Sequence, residues 1–262
     1  MTQKTTSEEL FERYLESQGL GFEFERQYEG KSRRPDYTVA IGGKEYLFEV
    51  KEFEPGDTPP GTSQFDPYRR IRAKIDAAQK KFKEFEGFPC CLVLYNSAAF
   101  VMTERPYAVL GAMYGDAGIR IPFDPHRIKA TAEPEAAFLG GGKMIRPHWK
   151  EPENRRISAL LTLRHYPSGK RRYSRWWVGI RAQIKAGAID RDSVPGPPFD
   201  IEELGLGVVV WDNAYAEISL PLDIFRGPYD ERWSVVDDNQ WLSFRGSGIL
   251  AVEPDTEPQR SD

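Results

Sequence analysis

Two short runs of alternating residues, joined by a glycine pair, constrain the fold more than any other feature of this sequence. DYTVAI at residues 36–41 and KEYLFEV at residues 44–50 alternate apolar and polar side chains, and Gly42-Gly43 separates them. Alternation with a period of two is typical of a half-buried strand. A two-residue turn between such strands needs positive φ angles, which favours glycine. The segment is therefore predicted to form a tight antiparallel hairpin.

A turn at Gly42-Gly43 fixes the register of this hairpin. Asp36 then lies opposite Glu49, and Lys51 points to the same side as Glu49 because side chains alternate along a strand. The other face of the hairpin is apolar and is expected to meet the core; it carries the opposed pairs Val39 with Tyr46 and Tyr37 with Phe48.

The opposed carboxylates of Asp36 and Glu49 need a physical reason, because Cβ atoms of directly opposite residues lie only about 4.5–5.5 Å apart. A divalent cation is one such reason, since Mg²⁺ binds one or two carboxylates together with phosphate oxygens and water. Lys51 could stabilise charge on a phosphate or orient an attacking water, and the carbonyl of Val50 could add a ligand. Alternatively, the three side chains form a solvated face on which Lys51 simply pairs with Glu49.

Four further elements are predicted around the hairpin. The first helix carries an apolar stripe and acidic residues near its start, where the helix dipole favours negative charge. The second helix is strongly basic and ends before Gly87 and Pro89. The elements are a helix over residues 6–18 capped by Thr6 or Ser7, a strand over 21–27, the basic helix over 68–86, and a continuously apolar strand over 90–95.

The string Pro35-Asp36, followed after twelve residues by Glu49-Val50-Lys51, resembles the P-D…(D/E)-x-K signature of the PD-(D/E)xK nuclease superfamily. The predicted α-β-β-β-α-β order over residues 6–96 is similar to the restriction-endonuclease-like core, including its Mrr-type and archaeal Holliday-resolvase-like branches. The resemblance implies an endonuclease dependent on Mg²⁺ or Mn²⁺, with Asp36 and Glu49 as ligands and Lys51 as the catalytic lysine. DNA is expected rather than RNA, in prokaryotic antiviral defence, restriction or DNA repair.

The same resemblance implies further site residues. A carboxylate on the first helix often helps to hold the metal, and Glu8 is the candidate because it falls at the edge of the apolar stripe; alternatively, it is an ordinary acid at a helix start. On the basic helix, Gln79 or Lys74 is expected to face the active site. The residues on this helix could equally form a solvated face, and Arg34 lies just before Asp36. Phosphate contacts are expected from a wider basic set: Arg34, Arg69, Arg70, Arg72, Lys74 and Lys81.

The segment RHYPSGKRRYSRWW at residues 164–177 interleaves basic and aromatic side chains. That mixture suits a nucleic-acid contact, because aromatic rings stack on bases while cations follow the phosphates. Alternatively, Ser168-Gly169 is the tip of an exposed hairpin, with Trp176 and Trp177 partly in the core. The sequence does not decide between these two interpretations.

The rest of the chain is predicted as an elaboration of one α/β domain. Residues 1–235 form the domain, with a catalytic core at 6–96, a mixed sheet flanked by helices, and a strand-rich elaboration at 97–235; residues 236–262 form a C-terminal segment whose end is disordered. Within the elaboration we expect a helix over 104–115, a loop over 123–155, and strands over 157–163, 208–211 and 216–222.

Composition narrows the class of protein. The net charge of −4 argues against a protein that coats nucleic acid generally, but it permits a nuclease with a local basic track. The two cysteines, Cys90 and Cys91, cannot make a four-ligand zinc site, and no apolar run is long enough to span a bilayer. We therefore expect a cytoplasmic protein without a membrane partner. The resemblance to the nuclease superfamily implies a homodimer, or a chain that acts with a partner subunit. The alternatives are a nuclease-like fold that only binds nucleic acid or a partner, and an unrelated α/β enzyme.

Overall fold

In a computed structural model of the chain, the hairpin over residues 37–53 supplies the second and third strands of an eight-stranded sheet. The structure describes residues 4–53, 66, 68–97, 105–120, 123–124, 129–130, 135–138, 140–146, 151–238 and 241–247. The predicted disordered end of the chain, residues 253–262, lies outside these ranges.

Four α-helices and twelve strands make up the described part of the chain. The helices are α1 Thr6–Ser17, α2 Arg69–Phe82, α3 Pro106–Tyr114 and α4 Ser168–Lys185. The strands are β1 Phe22–Phe24, β2 Tyr37–Ile41, β3 Lys44–Phe53, β4 Cys90–Asn96, β5 Ala117–Arg120, β6 Phe123–Asp124, β7 Lys129–Ala130, β8 Glu135–Phe138, β9 Ile157–Tyr166, β10 Gly205–Asp212, β11 Glu231–Asp238 and β12 Trp241–Ser247.

The main sheet is mixed, and its strand order is β1-β2-β3-β4-β9-β10-β11-β12. β1, β2 and β3 pair antiparallel, while β3, β4 and β9 pair parallel. Two small two-stranded sheets pair β5 with β8 and β6 with β7. Of these strands, β6, β7 and β8 lie within residues 123–155, where a loop was predicted, and β5 precedes that region. The structure thus confirms an α/β protein with a mixed sheet flanked by helices, in which the first six elements follow the order α-β-β-β-α-β.

The turn and register of the hairpin agree with the prediction. Gly42 and Gly43 have φ angles of 57° and 80°, and the strands pair as Ile41 with Lys44, Val39 with Tyr46 and Tyr37 with Phe48. The apolar face packs on α1, where the ring of Phe11 lies 5.4 Å from Tyr37 and 5.3 Å from Phe48.

The opposite face of the hairpin is buried as well, because α2 covers it. Leu47 and Phe53 on β3 join a core cluster with Ile71 and Ile75 of α2. Asp36, Glu49 and Lys51 alternate with the α1-facing residues and therefore project towards α2. Since Glu49 is only 3% exposed, these side chains do not form a solvated outer face. The pairing of Lys51 with Glu49, which the same alternative included, is present.

The helix ends differ from the predictions at two places. α1 is capped by Thr5, one residue before the predicted Thr6 or Ser7, and its cap is a reciprocal capping box with Glu8. α2 ends at Phe82 and not near residue 86, because the chain turns after Lys83 and the N–H of Phe85 donates to the carbonyl of Phe82.

One predicted strand is wrong, and one of the two interpretations left open for residues 164–177 is excluded. Ser168-Gly169 is not the tip of a hairpin; it begins α4, directly after Pro167. Residues 216–222 form no strand, because the carbonyls of Leu220 and Pro221 accept hydrogen bonds from the Arg232 guanidinium instead of a neighbouring strand. The helix over 104–115 and the strands over 157–163 and 208–211 are confirmed as α3, β9 and β10.

The chain separates into two compact units, Met1–Arg164 with Val208–Asp262, and His165–Gly207. The larger unit contains the hairpin. The smaller unit contains α4, whose first turn is tied to the segment after it: the N–H of Gly169 and the hydroxyl of Ser168 both donate to the carbonyl of Glu203 at 3.0 Å.

Candidate functional site

Asp36, Glu49 and Lys51 lie together at the α2-facing side of the hairpin, as predicted. The Lys51 ammonium lies 2.5 Å from Oε1 of Glu49 and 3.9 Å from Oδ2 of Asp36. Asp36 directly precedes β2 while the other two residues lie on β3, so the register of the turn is what brings these side chains together.

A second ammonium, from Lys81 on α2, closes the cluster from the other side. Its Nζ lies 2.6 Å from Oδ1 of Asp36 and also forms an ion pair with Oε2 of Glu49. The backbone N–H of Val50 donates to Oδ2 of Asp36 at 2.8 Å. Asp36 is therefore held by one backbone donor and two cations, and both carboxylates converge on a single ammonium.

Burial sets the electrostatics of this cluster. The pKa of Glu49 is raised, first by burial and then by the neighbouring charge of Asp36, and Lys51 and Lys81 offset only part of this shift. Burial alone would lower the pKa of Lys81, but the charges of Glu49 and Asp36 reverse the effect and raise it. Two carboxylates and two ammonium groups therefore balance each other within a largely desolvated site.

The two carboxylates fit a divalent cation in one specific respect. Oε2 of Glu49 is buried and accepts no hydrogen bond of good geometry from the described residues, although the Lys81 ammonium lies against it. A buried carboxylate needs a cation or donors to offset its lost hydration; the Lys81 ammonium supplies that charge here, and a metal ion would take its place. Asp36 and Glu49 would supply two ligand carboxylates, the number that Mg²⁺ commonly takes from a protein.

Glu8 lies apart from this pair and has a structural role. Its carboxylate accepts a hydrogen bond from the N–H of Thr5 at 2.7 Å, while the Thr5 hydroxyl accepts one from the N–H of Glu8. Across the described ranges, no three His, Cys, Asp or Glu side chains converge in a way that could hold a metal. Val50 contacts the site through its N–H, which bonds to Asp36.

The α2 residue that reaches the site is Lys81 rather than Gln79 or Lys74. Gln79 lines a separate groove of about 500 Å³, together with Lys83 and Arg156. Lys74 lies over the ring of Phe53 at 5.5 Å. At 100° per residue, Lys74 and Lys81 fall on one flank of the buried stripe and Gln79 on the other. Helical periodicity therefore separates Gln79 from Lys81, but it does not say which flank faces the site.

The remaining predicted phosphate contacts are scattered. Arg34 forms an ion pair with Glu25 at 3.8 Å. The guanidinium of Arg72 donates to the carbonyl of Gly111 and lies over a tyrosine ring, so it ties α2 to α3. Arg69 is exposed, whereas Arg70 is half-buried. The structure gathers only Lys81 from the basic set into the cluster.

Comparison with known proteins adds no family to these observations: no family model, no curated protein and no solved structure matches the chain. In the part of the chain that the structure describes, no helix is both long enough and apolar enough to cross a membrane.

Proposed function

We propose that this chain is a nuclease of the PD-(D/E)xK type that hydrolyses phosphodiester bonds with Mg²⁺ or Mn²⁺. The observation that carries the proposal is the convergence of Asp36 and Glu49 on the half-buried ammonium of Lys81, with the Lys51 ammonium also beside both carboxylates. Two carboxylates and a lysine at the edge of a buried hairpin are the groups that metal-assisted phosphodiester hydrolysis needs.

Each residue has a distinct role in this proposal. Asp36 and Glu49 would hold the metal, which when bound acts as a Lewis acid on a phosphate oxygen and lowers the pKa of bound water. Lys51, whose side chain is 30% exposed, would reach the phosphate and stabilise charge that develops there. Val50 fixes the orientation of Asp36 through its N–H.

Lys81 would hold the two carboxylates together before the metal binds. Two ionised carboxylates on one buried face repel each other, and an ammonium between them offsets that repulsion. Cation binding then requires Lys81 to withdraw from Asp36 and Glu49. The lysine would remain beside the site on α2, where it can contact a phosphate.

The order of the first six elements, α-β-β-β-α-β, supports the same proposal, because it matches the restriction-endonuclease-like core expected from the signature. The α1 face and the α2 face of the hairpin are both covered, as that architecture requires. We propose DNA as the substrate, and a homodimer or a partner subunit as the arrangement that would cut both strands.

The test is a cleavage assay on the purified full-length chain. Supercoiled plasmid, linear duplex, single-stranded DNA and RNA are each incubated with Mg²⁺, with Mn²⁺ or with EDTA. We expect metal-dependent cleavage of DNA, and rates at least about 100-fold lower for Asp36→Asn, Glu49→Gln and Lys51→Met.

Two further variants serve as matched controls. Glu86→Gln removes an exposed acid, and Glu8→Gln preserves the capping box because glutamine can accept the same backbone hydrogen bond. Both are expected to cleave at the wild-type rate. Cleavage that survives Asp36→Asn and Lys51→Met would show that the active site lies elsewhere.

The second candidate function is a nuclease-like fold that binds nucleic acid without cutting it. The observation that favours it is the complete charge balance of the site, in which Lys51 and Lys81 already neutralise both carboxylates. Binding without cleavage under every metal, together with no effect of Mg²⁺ or Mn²⁺ on thermal unfolding, would establish this function instead.

A further inference from the structure

Helix α4, Ser168–Lys185, has a charge opposite to that of the whole chain. It contains six basic residues and no acidic one, in a protein whose net charge is −4. The six are Lys170, Arg171, Arg172, Arg175, Arg181 and Lys185. A helix of this composition repels itself electrostatically and is suited to an anionic partner.

The basic residues of α4 fall into two groups. Lys170 and Arg172 are paired within the small unit, the former with Glu202 at 3.3 Å and the latter with Glu203. At 100° per residue, the other four lie on one side of the helix. Within the described chain, no ion pair involves Arg171, Arg181 or Lys185. Arg171 is half-buried, whereas Arg181, Lys185 and Arg175, which has contacts of its own within the molecule, are exposed.

The opposite side of α4 is apolar and largely covered. Ile180 is only 6% exposed, and the rings of Tyr173 and Trp176 lie 5.5 Å apart. A helix that inserts into a membrane surface must present its apolar side to the lipid, but here Ile180 is buried and Tyr173, Trp176 and Ile184 are half-buried. The most exposed side of α4 is the basic one, which also carries Val178 at 68% exposure.

An aromatic ring lies at the edge of this basic side. Trp177 is 37% exposed and is stacked on Tyr173, with an interplanar angle of 6°. A tryptophan that is already held by a ring on one face can offer its exposed surface to a base at little cost in side-chain entropy. Cations beside an exposed ring that is held in place suit nucleic acid, which has both phosphates and bases, better than a polyanion that has no bases.

We propose that α4 is a nucleic-acid-binding helix whose exposed cations contact backbone phosphates. Arg171, Arg175, Arg181 and Lys185 would make these contacts along about 21 Å of helix axis, and Trp177 would stack on a base of a single strand. This proposal shares the substrate class of the proposed function, but it concerns binding and does not require cleavage.

The test measures binding by fluorescence anisotropy with a labelled 20-nucleotide single strand and the matching duplex, in EDTA so that no metal-dependent cleavage occurs. The variant combines Arg171→Gln, Arg175→Gln, Arg181→Gln and Lys185→Gln in the full-length chain. We expect its Kd to rise at least about tenfold, and the slope of log K against log salt for the duplex to fall by about 3.6, because each of the four phosphate contacts contributes about 0.9.

A matched control variant removes the same charge from other surfaces, through Arg13→Gln, Lys31→Gln, Lys44→Gln and Arg191→Gln. It is expected to bind within about threefold of wild type. Circular dichroism melting of both variants checks that the fold is kept. The smaller variant Trp177→Ala is expected to weaken single-strand binding more than duplex binding, by about fivefold or more.

Several outcomes would overturn the proposal. These are wild-type protein that binds neither probe, an α4 variant that binds like wild type, and an equal loss in the control variant. Co-sedimentation with vesicles of 30% phosphatidylserine that depends on α4, with nucleic-acid binding unchanged, would assign the helix to membranes instead. Asp36→Asn is expected to bind normally in EDTA, so loss of cleavage and loss of α4 binding can be told apart.

Discussion

Lys81 lies between two carboxylates that would otherwise repel each other in a buried site. Replacing it by methionine keeps the length of the side chain and removes the charge. In EDTA we expect Lys81→Met to lower the free energy of unfolding by about 2–3 kcal/mol, since breaking a fully buried pair costs about 3–5 kcal/mol and Lys81 is partly exposed. Urea denaturation measures this change.

The same variant tests where the metal binds. Because a cation would no longer need to displace an ammonium, Mn²⁺ should raise the melting temperature of Lys81→Met more than that of wild type. Lys80→Met removes the neighbouring exposed lysine of α2 and should respond like wild type. Equal metal shifts in all three proteins would place the cation away from Asp36 and Glu49.

The raised pKa of Glu49 predicts how stability depends on pH in EDTA. Above pH 4.5 the unfolded carboxyl is ionised, while the folded one keeps its proton to a higher pH, so the folded state binds more protons. The contribution of Glu49 to the free energy of unfolding therefore falls as pH rises through this window. The difference between wild type and Glu49→Gln should decrease from pH 4.5 towards pH 7, as measured by urea denaturation.

Asp36, Lys51 and Lys81 face Glu49. The direction in which the stability difference changes with pH shows whether burial and Asp36, or the two lysines, have the larger influence on the pKa of Glu49. Burial and Asp36 raise the pKa of Glu49, whereas the two lysines lower it. If the difference increased with pH, the lysines would dominate and the folded carboxyl would be the more acidic one. Glu86→Gln, which changes an exposed acid, should show a difference from wild type that is independent of pH.

For individual residues, the sequence predicted part of the proposed site. Asp36, Glu49 and Lys51 were found because alternation and turn length fix which strand side chains share a face. Lys81 was assigned to phosphate binding, and Gln79 and Lys74 were placed nearer the site, because the sequence gives the faces of α2 but not the rotation at which it packs on β3. That rotation depends on how Ile71 and Ile75 fit Leu47 and Phe53.

Among the elements, the hairpin turn determines whether the site forms. Gly42 and Gly43 both have positive φ angles, and a Cβ at either position would meet nothing within 4 Å, so any penalty comes from backbone conformation alone. We expect Gly42→Ala combined with Gly43→Ala to cost about 2–3 kcal/mol, because a left-handed conformation costs a non-glycine residue about 1–2 kcal/mol.

The control for the turn is Gly42→Asn, since asparagine-glycine is favoured in the same turn. It should be within about 0.5 kcal/mol of wild type by urea denaturation. If the double alanine variant were as stable as this control, the turn would not be what holds the register of Asp36 and Glu49.

The elements that were predicted wrongly share a physical cause. Ser168-Gly169 has the composition of a turn, but Gly169 packs closely on the backbone of residues 200–201 and belongs to the first turn of α4. Residues 216–222 alternate like a strand, but their carbonyls bond to a distant arginine. In both cases a contact remote in sequence overrides the local pattern, and no local pattern reports it.

Across the larger unit, buried polar groups join segments that are far apart in the chain. Arg232 donates two hydrogen bonds to Asp212, at 2.9 and 2.7 Å, and its remaining donors reach the carbonyls of Leu220 and Pro221. The aromatic and proline-rich segment 212–233 is thereby held against β10. The ring of Phe225 in this segment lies 6.0 Å from the ring of Phe48, on the side of β3 opposite to Glu49.

The hydroxyl of Tyr14 makes the longest of these connections, donating to Oδ2 of Asp230 at 2.7 Å across 216 positions of sequence. Asp230 is almost completely buried, and its other partners are the N–H groups of Val208 and Gly227. Removing one donor from a buried carboxylate costs about 1–3 kcal/mol. We therefore expect Tyr14→Phe to lower the free energy of unfolding by that amount in urea denaturation.

Tyr46→Phe is the matched control for this connection, because Tyr46 is also buried but its hydroxyl makes no hydrogen bond with another described residue. It should change the free energy of unfolding by less than about 0.5 kcal/mol. If Tyr14→Phe were equally neutral, Asp230 would be satisfied by its backbone donors alone.

The urea m-value of Tyr14→Phe tests whether α1 and the segment 208–230 unfold together. A lower free energy of unfolding with an unchanged m-value would show that they do, since m follows the surface exposed on unfolding. The support behind the hairpin that carries Glu49 would then be one cooperative unit, even though α1 and the segment 208–230 are far apart in the sequence.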